Sequence, residues 1–229
     1  MIIGGFQKMT MLDFPGKIAC TIFTYGCNLR CPFCHNASLV TDKPEEISKD
    51  EILSYLKKRC RVLDGVCITG GEPLMHGESL YELIREIRSL GLLVKLDTNG
   101  AYPDRLEYVI KQGLVDYVAM DIKNSKEKYA LTTGLDTLDI SPFEKSVEIL
   151  KNSDIDYELR TTIIKEYHTI EDIRKIGEWI RGAKRYFLQS FVDSGALISD
   201  GCSAHEKSTL EAFKQTASAY ISSVQLRGV

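Results

Sequence analysis

The run Ile18-Ala19-Cys20-Thr21-Ile22-Phe23-Thr24 leads directly into Tyr25-Gly26-Cys27-Asn28-Leu29-Arg30-Cys31-Pro32-Phe33-Cys34-His35-Asn36. Its first half is apolar and rich in β-branched and aromatic residues, which is strand character. Its second half sets Cys27, Cys31 and Cys34 at C-x3-C-x2-C spacing on the loop that follows. Three thiolates so spaced hold three irons of a four-iron cluster and leave the fourth open to an outside ligand. Zinc sites normally close four N or S ligands, and ribbon-type sites bring a second cysteine pair. No second C-x2-C is present. A zinc-binding interaction module that uses the three thiols with His35 or a distant cysteine is the non-enzymatic alternative.

Outward from this loop, strand-like runs recur at 18–24, 65–69, 92–97, 117–122, 157–164 and 186–191. Helical patterns lie between them at 48–59, 78–90, 104–112, 142–151 and 169–181. This alternation predicts parallel βα units. Ser48, Ser141 and Thr169 are expected to cap their helices, with Ser48 and Glu51 forming a capping box. A further helix over 204–221 and a short strand over 223–227 close the chain. The 229 residues fit one domain, with a core over about 15–191 and the helix and strand of 203–228 behind it.

The net charge of -3, with 44% hydrophobic and 27% charged residues, fits an ordinary globular protein. It gives no reason to expect nucleic acid or an anionic membrane as partner. The first residues lack a signal-peptide pattern, and no run approaches about 18 apolar residues, so a cytoplasmic, reducing location is expected. Cys20, Cys60 and Cys67 stand in apolar surroundings and read as buried thiols. Cys202 has no thiol partner nearby in sequence and carries little weight.

In a parallel βα architecture the loops after the strands gather on one face and carry the chemistry. Thr69-Gly70-Gly71-Glu72-Pro73 follows the second strand run, Asp97-Thr98-Asn99-Gly100 ends the third and Asp121-Ile122-Lys123 ends the fourth. Glycines let the backbone bend sharply and approach a ligand, and a Glu accepts from an ammonium group. Arg160 and Thr162 share one face of the fifth run. A cation in an apolar strand needs a carboxylate, a phosphate or water, so Arg160 is either a cofactor contact or half of a structural ion pair. Phe33 is read as part core residue and part ligand contact. His35, His76, His168 and His205 are read as loop or surface residues.

Taken together, the C-x3-C-x2-C loop, the GGEP turn, and the DTNG and DxK elements resemble the radical S-adenosylmethionine (radical SAM) superfamily. Within it they are similar to the glycyl-radical-enzyme activating proteins, and most so to that of anaerobic ribonucleoside-triphosphate reductase. The resemblance implies a partial (β/α)6 barrel, one [4Fe-4S] cluster on Cys27, Cys31 and Cys34, and S-adenosylmethionine as cofactor. It also implies a glycyl radical enzyme as protein substrate and an electron donor such as flavodoxin or ferredoxin. By the same resemblance Gly70, Gly71 and Glu72 hold the amino end of the cofactor, with Pro73 fixing the turn. Asp97, Thr98, Asn99, Asp121 and Lys123 line its ribose and carboxylate, and Phe33 and Asn36 lie on the adenine side. A monovalent cation beside Asp97, Thr98 and Asp121 is a further expectation. In the region of Gln189 and Phe191 pyruvate formate-lyase activases carry a His near the cofactor, and this chain has none there. Residues 36–59 hold no cysteine, so auxiliary clusters are not expected. The enzymatic alternatives are a pyruvate formate-lyase-type activase and a small-molecule enzyme similar to 7-carboxy-7-deazaguanine synthase.

Overall fold

The computed structural model describes residues 1–42 and 44–229. The strand-like runs form one sheet of eight strands whose spatial order is the chain order. They are β1 (Ile3–Thr10), β2 (Ala19–Thr24), β3 (Gly65–Gly70), β4 (Leu93–Thr98), β5 (Tyr117–Asp121), β6 (Asp156–Ile163), β7 (Tyr186–Ser190) and β8 (Val224–Arg227). Every pairing from β2 to β8 is parallel, and β1 runs antiparallel to β2 at one edge. The helices are α1 (Ser38–Thr41), α2 (Lys49–Arg59), α3 (Glu78–Ser89), α4 (Pro103–Lys111), α5 (Tyr129–Thr132), α6 (Ser141–Lys151), α7 (Ile170–Trp179) and α8 (Lys207–Ala217). The architecture is thus a partial α/β barrel, with β1 and β8 as unjoined edges.

Its outer layer is an ordinary hydrophobic seam. Leu80, Leu83, Ile84 and Ile87 of α3 recur at helical spacing and are fully buried. Each such side chain contributes roughly 1.5–3 kcal/mol on burial, which fixes which face of α3 meets the sheet. The inner layer follows from strand alternation and parallel register: Asp97 pairs with Ala119, Asp121 with Arg160, and Thr162 with Gln189. Residues of one parity therefore share the barrel interior.

Several sequence expectations need correction. β1 was not anticipated, although it seals the edge beside the cysteine loop. Ser48 is the N-cap residue of α2, yet its hydroxyl makes no cap bond, so no box forms with Glu51. Ser141 lies inside α6; its N–H and Oγ donate to Asp139 at 3.0 and 2.8 Å, so Asp139 organises that helix start. Thr169 does cap α7, in a box with Asp172. His168 is buried, and Cys60 is only half-buried. Among the described residues no helix is long and apolar enough to cross a membrane.

Candidate active site

A cavity of about 250 Å³ opens at the C-terminal ends of β3 to β7. Its wall includes Cys27, Cys31, Cys34, Phe33 and Asn36 from the loop after β2, and Gly70 and Gly71 from the turn after β3. Asp97 and Thr98 come from β4 with Asn99 just after it, Asp121 ends β5 with Lys123 two residues on, Arg160 and Thr162 come from β6, and Gln189 from β7. Of the residues singled out in sequence, Glu72 and Pro73 are absent from this wall and buried behind it.

Backbone contact locks the cysteine loop to the glycine turn. Glu72 N–H donates to the Gly26 carbonyl at 2.8 Å, and a Cβ at Gly71 would lie 2.0 Å from that same oxygen. Gly70 has φ +116°, where a side chain would also meet the Thr24 backbone. Asn36 donates to the Gly70 carbonyl at 3.0 Å, so this adenine-side candidate also ties the two loops. Asn99 donates to Asn28 Oδ1 at 2.9 Å from the β4 end. Arg30 Nη1 donates to the carbonyls of Cys27 and Leu29 at 2.7 and 2.8 Å, and its backbone N–H reaches Thr133 after α5. Phe33 is 4% exposed and packs 6.1 Å from the Tyr167 ring, so core packing dominates its role in the loop.

The buried carboxylate of Glu72 accepts three hydrogen bonds inside the protein. Oε1 accepts from Leu74 N–H at 3.0 Å and Thr98 Oγ1 at 2.8 Å, and Oε2 accepts from Asn99 N–H at 2.6 Å. Burial raises its pKa to about 7 despite these three donors. In this structure Glu72 clamps the β3 turn to the β4 end.

Beneath the cavity runs a chain of buried charges. Asp97 Oδ2 accepts from Arg160 Nη2 at 3.0 Å, and Oδ1 from Lys95. Asp121 Oδ1 accepts from Arg160 Nε at 2.5 Å, and Oδ2 from Lys123 Nζ at 2.8 Å. All four carboxylate oxygens hold side-chain cations, so the position expected for a monovalent cation is already compensated. Arg160 forms the ion pairs that sequence left as one choice, and it also lines the cavity. Burial alone would raise Asp121, but Arg160 and Lys123 outweigh it and hold the carboxyl well below its usual range. Cys67 is buried but not in apolar surroundings: its sulfur lies 3.7 Å from Lys95 Nζ and 3.8 Å from Asp97 Oδ1.

His168 is the main residue that sequence reasoning missed. Its Nδ1 accepts from Ile164 N–H at 3.0 Å and its Nε2 donates to the Lys123 carbonyl at 2.9 Å, which fixes the backbone that carries Lys123. His205 Nε2 in turn reaches the His168 carbonyl at 3.0 Å. His76 is half-buried, and its Nε2 has no partner among the described residues. No sequence signal pointed to His168. Lys95 was findable, because it shares strand parity with Asp97 just as Arg160 shares it with Thr162.

The donor set suits the group expected on it. Three thiols from one loop face one cavity, and iron–sulfur clusters are held by thiolates. Among the described residues no three His, Cys, Asp or Glu side chains converge closely enough to hold a single metal ion. A cluster instead spreads its thiolates over separate irons. Burial pushes the Cys31 thiol up to about 12 and raises Cys27 and Cys34 as well, so iron must displace their protons.

An open parallel α/β barrel with three cysteines at its C-terminal rim defines an iron–sulfur enzyme class, and the comparisons with known proteins give it a family. The model of the radical SAM superfamily matches residues 21–180. A Methanocaldococcus jannaschii protein named "Putative glycyl-radical enzyme activating enzyme MJ1227" is 31% identical over 193 residues, covering 83% of this chain and 80% of that protein. The pyruvate formate-lyase-activating enzyme of Clostridium pasteurianum is 29% identical over 189 residues, covering 80% and 77%. Among solved structures, Streptococcus suis SuiB superposes with a TM-score of 0.68 at 13% identity, over 91% of this chain and 48% of that one. TYW1 with a lysine-pyruvate adduct bound gives 0.65 at 20% identity, over 90% and 74%. The chain spans about half the length of SuiB, and these two likenesses concern the fold. The chain belongs to the radical SAM superfamily, whose enzymes use a [4Fe-4S] cluster and S-adenosylmethionine, and within it to the glycyl-radical-enzyme activating enzymes.

Proposed function

We propose that this enzyme activates anaerobic ribonucleoside-triphosphate reductase by abstracting a hydrogen atom from a glycine of that partner. The observation that carries the choice of partner is Gln189, which lines the cavity where the formate-lyase activases are expected to carry a histidine. A pyruvate formate-lyase-type activase is the second reading, favoured by the 29% identity to the clostridial enzyme. The cytoplasm is the proposed location.

In this reading Cys27, Cys31 and Cys34 would hold the cluster, which would supply the electron for reductive cleavage of S-adenosylmethionine. A flavodoxin or ferredoxin is the proposed one-electron donor. The bound cofactor would supply the acceptor for the hydrogen atom of the partner's glycine Cα–H bond, ending as 5′-deoxyadenosine and leaving a glycine radical stabilised by the flanking amides. This chain's residues bind and orient. Gly70 and Gly71 bring their backbone against the amino end of the cofactor, and Glu72 and Pro73 set the turn that presents them. Lys123 and Arg160 counter its carboxylate while Asp97 and Asp121 keep both cations aimed. Thr98 and Asn99 face the ribose, and Phe33 and Asn36 wall the adenine side. Entry of the partner's glycine loop into the cavity would exclude water around the reacting carbon.

The test is anaerobic mixing of the reduced, reconstituted enzyme and S-adenosylmethionine with purified anaerobic ribonucleoside-triphosphate reductase. Electron paramagnetic resonance should then show a glycyl radical on the reductase. A radical formed only on pyruvate formate-lyase would move the assignment to the second reading. Catalytic turnover of a purine or pterin without any protein partner would move it to the small-molecule reading.

A further inference from the structure

Five of the nine large apolar side chains left exposed among the described residues share one corner of the molecule. They are Met9 near the end of β1, Met11 and Leu12 in the hairpin that joins β1 to β2, Ile18 just before β2, and Val62 after α2. Hydrogen bonds gather these segments: the Tyr55 hydroxyl of α2 donates to the Lys8 carbonyl at 2.8 Å, and Asp64 Oδ2 accepts from Ile18 N–H at 2.8 Å. The corner lies at the start of β2, so the six residues of that strand, about 20 Å, separate it from the cysteine loop at the other end. The hairpin is ordered. Thr10 Oγ1 accepts from the N–H groups of Leu12 and Asp13 at 3.1 and 3.4 Å, and Lys17 N–H donates to the Phe14 carbonyl at 3.1 Å. Phe14 turns inward and is 4% exposed, while Met11 and Leu12 are held outward at 72% and 91%. Single apolar side chains on a surface are ordinary, but a cluster on an ordered turn marks a contact surface.

Cations flank this tip. Lys8 precedes it on β1, Lys17 follows it, and Lys57, Lys58, Arg59 and Arg61 come from the end of α2 and the turn after it. None of the six makes an ion pair among the described residues. Residues 8–18 and 57–64 contain only two carboxylates, and both are engaged: Asp13 accepts from Thr21 Oγ1 at 2.5 Å, and Asp64 holds Ile18 N–H. The corner is therefore strongly positive in a chain whose net charge is -3, which is why overall charge gave no sign of it. This chemistry selects the partner. Single-stranded nucleic acid asks for aromatic stacking platforms, and here Phe14 is buried while Tyr55 is half-buried against Phe6. Protein hot spots centre on Trp, Tyr and Arg anchors seated in pockets. Flexible Met and Leu side chains at a tip, with long cations beside them, suit an anionic lipid bilayer: the tip enters the boundary between headgroups and acyl chains, and the cations meet headgroup phosphates.

We infer that this corner docks the enzyme on an anionic bilayer surface, with Met11 and Leu12 as the inserted tip and the six cations on the headgroups. Either signal alone gives only marginal attachment, and the two together give a stable one. The cavity, at the opposite end of the strands, then faces away from the bilayer and stays open to a protein substrate. The inference is independent of which glycyl radical enzyme that substrate is.

The test is anaerobic co-sedimentation of the reconstituted enzyme with vesicles of phosphatidylglycerol and phosphatidylcholine in equal parts, against vesicles of phosphatidylcholine alone. The parent should bind the anionic vesicles at least about tenfold more tightly and should be released as salt rises from about 0.05 to about 0.5 M. Replacing Lys57 and Lys58 together by Gln should weaken binding by about twenty- to thirtyfold, about fivefold for each cation. Leu12→Ser should weaken it by about tenfold or more. Iron content and affinity for S-adenosylmethionine should be unchanged in these variants, which also shows that they fold. Leu12→Trp adds a direct reading of insertion: its fluorescence should shift to the blue on the anionic vesicles and not on phosphatidylcholine. Equal binding to both vesicles, no binding by the parent, or binding by Leu12→Ser as tight as the parent's would overturn the inference. So would tighter binding to polyglutamate or duplex DNA than to the vesicles, which would give the corner to an acidic protein or to nucleic acid. A dimer of the parent that Leu12→Ser abolishes, with no vesicle binding, would overturn it in favour of a second copy of the chain.

Discussion

The lower and upper halves of the barrel interior solve one electrostatic problem in different ways. At the bottom, Phe14 packs with Ala19, Tyr117 and Ala119 as a closed plug. Above it Glu158, 1% exposed, receives Arg227 at 2.6 and 2.8 Å and the Tyr117 hydroxyl at 2.8 Å. Burial would raise Glu158, but these hydrogen bonds prevail and hold it below the ordinary carboxylate range. At the top, Asp97 and Asp121 share Lys95, Arg160 and Lys123, three cations for two anions, and the cavity lies directly over them. The lower network is matched in charge, one carboxylate to one arginine. The upper one keeps a spare positive charge where a ligand enters, and that surplus separates an active site from a structural core.

The comparison is most severely tested at the rim. Replacing Cys27, Cys31 or Cys34 by Ala should abolish iron binding and reductive cleavage of S-adenosylmethionine, whereas Cys20→Ala or Cys67→Ala should leave about four irons per chain. Iron assay and 5′-deoxyadenosine formation read the difference. Retention of iron by Cys31→Ala would break the assignment of the ligands.

Next in size is the paired loss of one arginine from each half. Arg160→Met leaves two buried carboxylates short of a cation and should cost about 3–5 kcal/mol in denaturant unfolding, with cofactor affinity falling as well. Arg227 is about one-third exposed. Solvent screening reduces its contribution, so Arg227→Met should cost about 1–2 kcal/mol and leave cofactor affinity unchanged. Equal effects on affinity would erase the distinction between the halves.

A smaller effect belongs to His168, which is buried as the neutral ring. Burial lowers its pKa, only partly offset by its hydrogen bonds at Lys123 and Ile164; Asp172 opposes the shift and His205 adds to it. Below the unfolded value near 6.5 the unfolded chain takes up a proton that the native state refuses. The stability held above that pH is therefore lost as pH falls from about 6.5 toward the folded value. The carboxylates Asp97, Asp121 and Glu158 act in a lower window, below about pH 4. His168→Gln should flatten the upper part of a Tm–pH curve and leave the acid limb in place.

The legible part of this molecule was the part written in local pattern. Apolar strand-like runs placed β2 to β7 within a residue or two, and the cysteine loop and the strand-end motifs, apart from Glu72 and Pro73, came together on one cavity. β1 was illegible because Gly4 and Gly5 interrupt its alternation and three of its residues face solvent. The inward role of Glu72 was hidden because its partners Thr98 and Asn99 come from another strand, and no spacing rule links them. Pairings of that kind, like His168 with Lys123, exist only after the chain has folded. The smallest expected effect makes the same point: Thr169→Ala should cost about 1 kcal/mol through its formed capping box, whereas Ser48→Ala should stay within about 0.5 kcal/mol in thermal unfolding.

The central claim is that the upper interior delivers a radical to a glycine Cα. Anaerobic ribonucleoside-triphosphate reductase produced with α,α-dideuterated glycine, reacted with the reduced enzyme and S-adenosylmethionine, should yield 5′-deoxyadenosine carrying one deuterium by mass spectrometry. Unlabelled 5′-deoxyadenosine, formed at the same rate with and without the partner, would contradict it.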